Sequence, residues 1–67
     1  MRKNLKLFRT NKFLSQQEIA DKIGVTRSTY ANIENGVREG RKTFWKLLQA
    51  AFDIPDEEMY GLMKNDE

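Results

Sequence analysis

The sequence predicts an all-α domain of five short helices, and three observations carry that prediction. Apolar residues recur at helical spacing along the chain, and no stretch alternates long enough to form a strand. Ser15 and Thr26 stand where capping residues start helices. Gly24 and the Asn35-Gly36 pair stand where left-handed residues end them. The 67 residues make one domain spanning 1–67. Such a chain cannot bury a large core, so helix packing or a partner chain must supply stability.

The first helix spans about residues 2–12. Leu5 and Phe8, with Leu7 beside them, face inward, while Arg2, Lys3, Lys6 and Lys12 are solvated. Leu14 then turns toward the core. Ser15-Gln16-Gln17-Glu18 has the S-x-x-E form, in which the serine hydroxyl and the glutamate carboxylate satisfy each other's backbone amides. The second helix therefore begins here, buries Ile19, Ala20 and Ile23, and ends at Gly24.

Thr26 caps a third helix from Arg27 to Glu34 or Asn35, which buries Tyr30 and Ile33 at i,i+3 spacing. Its other face carries Arg27, Ser28, Ala31, Asn32 and Asn35, with no large apolar side chain. A basic loop over residues 37–42 leads to a fourth helix, about 43–52, that is apolar almost all round. A turn at Asp53-Ile54-Pro55-Asp56 opens the fifth, which carries Met59, Tyr60, Leu62 and Met63 before a frayed Asn65-Asp66-Glu67 tail. The expected core is Leu5, Phe8, Leu14, Ile19, Ile23, Tyr30, Ile33, Trp45, Leu48, Phe52, Ile54 and Met59.

Composition removes most enzyme chemistry. The chain has no Cys and no His, which excludes thiol nucleophiles, histidine bases, zinc fingers and disulfide frameworks. Asp56-Glu57-Glu58 is the densest carboxylate cluster, and acids at a helix start are explained by the dipole rather than by catalysis. The sequence thus predicts no catalytic residue, no metal site and no cofactor. The longest apolar run is Ala50-Ala51-Phe52, so a cytoplasmic protein without a membrane span or signal peptide is expected. Charge is segregated: residues 1–46 carry +7 and residues 47–67 carry −5, within a net +2. An anionic partner for the first part, nucleic acid above all, is one reading, and well-solvated helices are the other.

Two capped helices joined by about three residues, the second with a small, polar outer face, form a helix-turn-helix over about residues 15–36. The run from Leu14 to Gly36, LSQQEIADKIGVTRSTYANIENG, resembles the phage Cro and repressor type of helix-turn-helix, also called the XRE or lambda-repressor-like family. The resemblance reaches from about Leu5 to Tyr60. It implies a five-helix lambda-repressor-like domain whose third helix enters the major groove of double-stranded DNA.

By this resemblance the base contacts come from Arg27, Ser28, Asn32 and Ala31. Arg27 suits guanine, Asn32 adenine, Ser28 either, and Ala31 a thymine methyl. Arg27 as a flexible side chain at the groove edge can equally hold a phosphate. Phosphate contacts fall to Gln16, Thr26, Arg38, Arg41 and Lys42, Thr26 being a cap as well. Gln16 is otherwise an ordinary exposed glutamine, and Asn11 and Lys12 are either further phosphate ligands or a solvated face. The family also places Arg9 opposite Glu34, implying an ion pair that pins the first helix to the end of the third. Three features depart from the pattern: Phe13 stands where the family commonly has Gly, Gly40 and Arg41 replace its usual Pro and capping residue, and Phe44 and Leu47 are apolar where it is usually polar.

Those apolar residues need covering. Phe44, Leu47, Tyr60 and Met63 predict a homodimer through the fourth and fifth helices. Two-fold symmetry then sets the recognition helices about one DNA turn, ~34 Å, apart on a pseudo-palindromic site. The sequence is thus read as a sequence-specific DNA-binding regulator, a repressor that occludes a promoter. The alternative is an interaction module, such as an antitoxin or adaptor, whose main partner is a protein.

Overall fold

Capping chemistry sets the helix boundaries in the structure, a computed structural model that describes residues 1–65. The final Asp66-Glu67 of the expected tail lies outside the described residues. The elements are α1 (Lys3–Asn11), α2 (Gln16–Ile23), α3 (Arg27–Glu34), α4 (Lys42–Phe52) and α5 (Asp56–Met63), with no strand among the described residues.

At α2, Ser15 Oγ accepts from the Glu18 amide at 3.0 Å and Glu18 Oε1 accepts from the Ser15 amide at 2.8 Å, completing the reciprocal cap. Gly24 ends the helix at φ 84° and returns its N–H to the Ala20 carbonyl. α1 ends differently. Leu14 N–H donates to the Arg9 carbonyl and Phe13 N–H to the Thr10 carbonyl, a Schellman pair whose left-handed position is filled by Phe13 at φ 59°. A side chain with Cβ is disfavoured there by about 1–2 kcal/mol. The ring gains no burial in return, being 93% exposed.

α1 packs on α5 and α3, and α2 packs on α3 and α4, around a core of Leu5, Ile19, Ile23, Tyr30, Ile33 and Leu48. Trp45, Ile54 and Met59 are buried with them. Three core expectations are corrected. Phe8, Leu14 and Phe52 are only half-buried, because they form the rim between the helices rather than the centre. Phe8 and Phe52 meet edge to face at 5.3 Å, and Lys12 Nζ lies 4.8 Å from the Phe8 ring centre. Leu7 is 56% exposed, since it lies off the stripe that carries Leu5.

Phe44 and Leu62 take the places those residues leave. Phe44, expected on an exposed dimer face, is 4% exposed. Its ring packs on Tyr30 at 6.2 Å and edge to face on Trp45 at 4.9 Å. An almost wholly apolar helix does not announce which side faces in, and the aromatic partner on α3 decides it. α4 starts at Lys42, one residue before the expected 43, with no side-chain cap from Arg41. Gly40 precedes it at φ 84°, and a Cβ there would meet Trp45 Nε1 at 2.8 Å. That departure from the family pattern is therefore a fit to the indole.

The largest correction concerns Arg2. Expected in solvent, it is 2% exposed, because four carbonyls converge on its guanidinium. Nη1 donates to the carbonyls of Ile33 (2.6 Å) and Arg38 (2.8 Å), Nη2 to Glu39 (3.1 Å) and Nε to Met63 (2.9 Å). Trp45 closes the pocket from one face, its ring centre 5.5 Å from Arg2 Cζ.

Candidate nucleic-acid interface

α2 and α3 are joined by Gly24, Val25 and Thr26 only. The left-handed glycine lets Val25 N–H follow Gly24 N–H onto the Ala20 carbonyl, and Ala20, fully buried, leaves room for α3 to approach α2. Thr26 Oγ1 accepts from the Thr29 amide at 3.2 Å and donates to Thr29 Oγ1 at 2.9 Å. Its hydroxyl is thus engaged in starting α3.

The two sides of α3 differ sharply. Tyr30, Ile33 and Glu34 are buried, whereas Arg27 and Ser28 are exposed and Ala31 and Asn32 are half-buried. The side chains of Arg27, Ser28 and Asn32 take part in no hydrogen bond or ion pair with a described residue, so their donors and acceptors face solvent. The Asn32 carbonyl accepts from the amides of Val37 and Arg38 and folds the next loop back against the helix end. Arg38, Arg41 and Lys42 are exposed on or beside that loop.

A charged joint holds the inner end of α3. Arg9 Nε and Nη2 donate to the two carboxylate oxygens of Glu34 at 2.9 and 3.1 Å, and Arg9 Nη1 donates to the Leu14 carbonyl at 2.8 Å. Gln16 Nε2 donates to Glu34 Oε2 at 3.3 Å, so this side chain is turned toward the carboxylate. Gln16 still offers its backbone N–H, which has no acceptor within α2, at the start of the helix. Burial works to raise the Glu34 pKa, but the Arg9 hydrogen bonds, with the nearby Tyr30 and Gln16, outweigh it and hold the carboxyl below its usual range. The Glu34 hydrogen bond correspondingly raises Arg9. The Tyr30 hydroxyl is buried beside Glu34 without a well-formed hydrogen bond, and burial, then the carboxylate, push its pKa far up. Glu34 is therefore neutralised from within and presents no bare anion to the outer face.

The residues expected at a dimer interface do not share one surface. Leu47, 45% exposed, lines an open groove of about 530 Å³ between α3 and α4 with Val25, Thr29, Arg38 and Arg41. Tyr60 and Met63 line a second groove of about 320 Å³ between α4 and α5, beside Trp45 and Met59. Phe44 is withdrawn into the core.

The family model described as helix-turn-helix matches residues 5–59, from within α1 into α5. The chain belongs to the helix-turn-helix family. This is the Cro/repressor, or XRE, type, a family of DNA-binding transcription regulators. No curated protein and no solved structure matches the chain. In this helix-turn-helix protein no described helix is long and apolar enough to cross a membrane. Sequence reasoning missed Arg2 and Gly40, whose roles rest on distant carbonyls and on the Trp45 ring. The family spacing of Arg9 and Glu34 was the one long-range signal in the chain.

Proposed function

We propose that this protein is a sequence-specific transcriptional repressor that binds a pseudo-palindromic operator as a homodimer, α3 lying in the major groove of each half-site. The observation that carries the reading is the outer face of α3: Arg27, Ser28, Ala31 and Asn32 are small or hydrogen-bonding, and the polar side chains among them are uncommitted. Arg27 then pairs with guanine, Asn32 with adenine, Ser28 with either, and Ala31 touches a thymine methyl. Arg38, Arg41 and Lys42 flank that face as phosphate ligands, with the Gln16 amide and Thr26 on its other flank.

Size allows one copy per half-site. The domain measures 25 × 23 × 23 Å, shorter than the ~34 Å between successive major-groove faces, so two copies are needed to read two half-sites. Tyr60 and Met63 supply exposed apolar surface for that contact on the α4–α5 side, while Leu47 is exposed on the separate α3–α4 groove. The burial of Phe44 removes one support for the interaction-module reading.

Selection of bound duplexes from a randomised pool, followed by sedimentation of the protein with and without the selected duplex, tests the proposal. An enriched two-fold motif and a 2:1 complex are expected. Absence of enrichment would overturn the reading in favour of a protein-binding role, and a 1:1 complex on a single half-site would overturn the dimer.

A further inference from the structure

We infer that Arg2 is a positioning residue for DNA binding, holding the α3–α4 loop at a fixed offset from the recognition helix. The inference rests on the proposed DNA-binding role of Arg38 and Arg41 and adds a residue that never touches the duplex.

The geometry is that of a single cation closing three chain segments. The Ile33 carbonyl belongs to the last turn of α3 and the Met63 carbonyl to the end of α5, where helix carbonyls lack intrahelical partners and carry partial negative charge. The Arg38 and Glu39 carbonyls belong to the loop between α3 and α4. Arg2 donates to all of them while its own backbone N–H donates to the Glu34 carbonyl at 2.8 Å. Only a planar guanidinium has enough donors, in a wide enough fork, to reach four acceptors on three segments at once.

Drawing the carbonyls of residues 38 and 39 inward has a directional consequence. The Arg38 side chain is left exposed, and Arg41, immediately after Gly40, is the last residue of the same loop before α4. Arg2 thus fixes where these two cations stand relative to Arg27 and Asn32. The Glu39 carboxylate is 3.8 Å from Arg2 Nη2 but almost fully solvent-exposed, so the backbone bonds dominate the hold on the loop. Such a residue governs how many phosphates are met simultaneously and is silent about which bases are read.

Arg2→Met, which keeps the stem and loses the fork, and Arg2→Lys, which keeps the charge, are titrated against selected and scrambled duplexes at several salt concentrations. Temperatures are kept below each variant's own unfolding transition. Both variants are expected to lose affinity for the two duplexes by the same factor, roughly tenfold near 0.1 M salt for each phosphate that the loop no longer reaches. The plot of log affinity against log salt should flatten by about one unit for each such phosphate. In an Arg38→Ala/Arg41→Ala background the same Arg2 changes should add little. In the wild type, reciprocity predicts that DNA slows the exchange of the Arg2 Nη protons, which bond the Arg38 and Glu39 carbonyls of the loop, a readout that needs no variant to fold.

Folded variants with wild-type affinity and salt slope would overturn the inference. So would rescue by lysine, a changed base preference, an undiminished penalty in the double background, or Nη protons indifferent to DNA. A wild-type protein that binds no duplex would instead overturn the DNA-binding reading itself, and this inference with it.

Discussion

The inner and outer sides of α3 share eight residues and follow opposite rules. On the inner side, Tyr30, Ile33 and Glu34 are buried, and the carboxylate is matched by a two-toothed arginine and a glutamine. On the outer side, Arg27, Ser28 and Asn32 make no side-chain commitment within the described protein. The contrast teaches that one short helix can separate stability from recognition by face, so that changes on one side leave the other's property intact.

The largest expected effect breaks the inner side. Glu34→Gln leaves Arg9 without its carboxylate, and removing one partner of a buried pair typically costs about 3–5 kcal/mol. Thermal unfolding monitored by circular dichroism should show a clearly lower midpoint at both low and high salt. The base preference of whatever fraction remains folded should be unchanged. An unaltered midpoint would mean that the joint contributes nothing.

The same pair gives the protein an acid limb. Because the Glu34 pKa is lowered on folding, its stabilisation is fully present above the ordinary carboxylate pKa and is lost as pH falls through the depressed folded value. Wild type and Glu34→Gln should therefore differ most near neutral pH and converge in acid. A gap that stayed constant with pH would refute the titration.

Next in size are changes on the outer side and its flank. Asn32→Ala should cost about 1–3 kcal/mol in binding the selected operator and relax preference at one position per half-site, with the melting midpoint unmoved. Arg41→Ala should weaken selected and scrambled duplexes alike and flatten the salt dependence by about one unit for each phosphate it leaves unneutralised. If Asn32→Ala weakened every duplex equally, the outer side of α3 would not be reading sequence.

Two smaller changes sharpen the distinction between burial and strain. Phe13→Gly relieves a left-handed phenylalanine and should raise stability by about 1 kcal/mol, the opposite sign from most substitutions at an aromatic residue. A lower midpoint would show that the exposed ring packs against something after all. Tyr30→Phe removes a buried hydroxyl that lacks a well-formed hydrogen bond, so its cost should stay below about 1 kcal/mol in denaturant titration. A larger loss would reveal a hydrogen bond to Glu34.

Apart from the Arg9–Glu34 pair that the family resemblance implied, what could be read in the sequence was local. The Ser15 to Glu18 cap, the Gly24 turn and the Tyr30 and Ile33 stripe each lie within a few residues of their partners, and the structure has all of them. α4 was opaque because its apolar residues nearly encircle it, so spacing alone did not separate Phe44, which packs on Tyr30, from Leu47, which does not face the core. Arg2 left no pattern at all: its partners are backbone carbonyls 31 to 61 residues away, and carbonyls have no letter in a sequence. For the outer side of α3 the residue types were legible and the duplex they would read was not, since base identity depends on a docked geometry that no spacing encodes.

The setting of Trp45 makes the protein its own reporter. It is the single tryptophan, and its indole lies against Gly40 of the α3–α4 loop on one side and near the Arg2 guanidinium, which bonds that loop's carbonyls, on another. Light absorbed selectively by that chromophore is emitted from the first turn of α4, beside the loop whose cations are proposed to meet the duplex. Fluorescence emission and quenching can therefore follow loop movement in the unlabelled chain, with no dye attached near the groove.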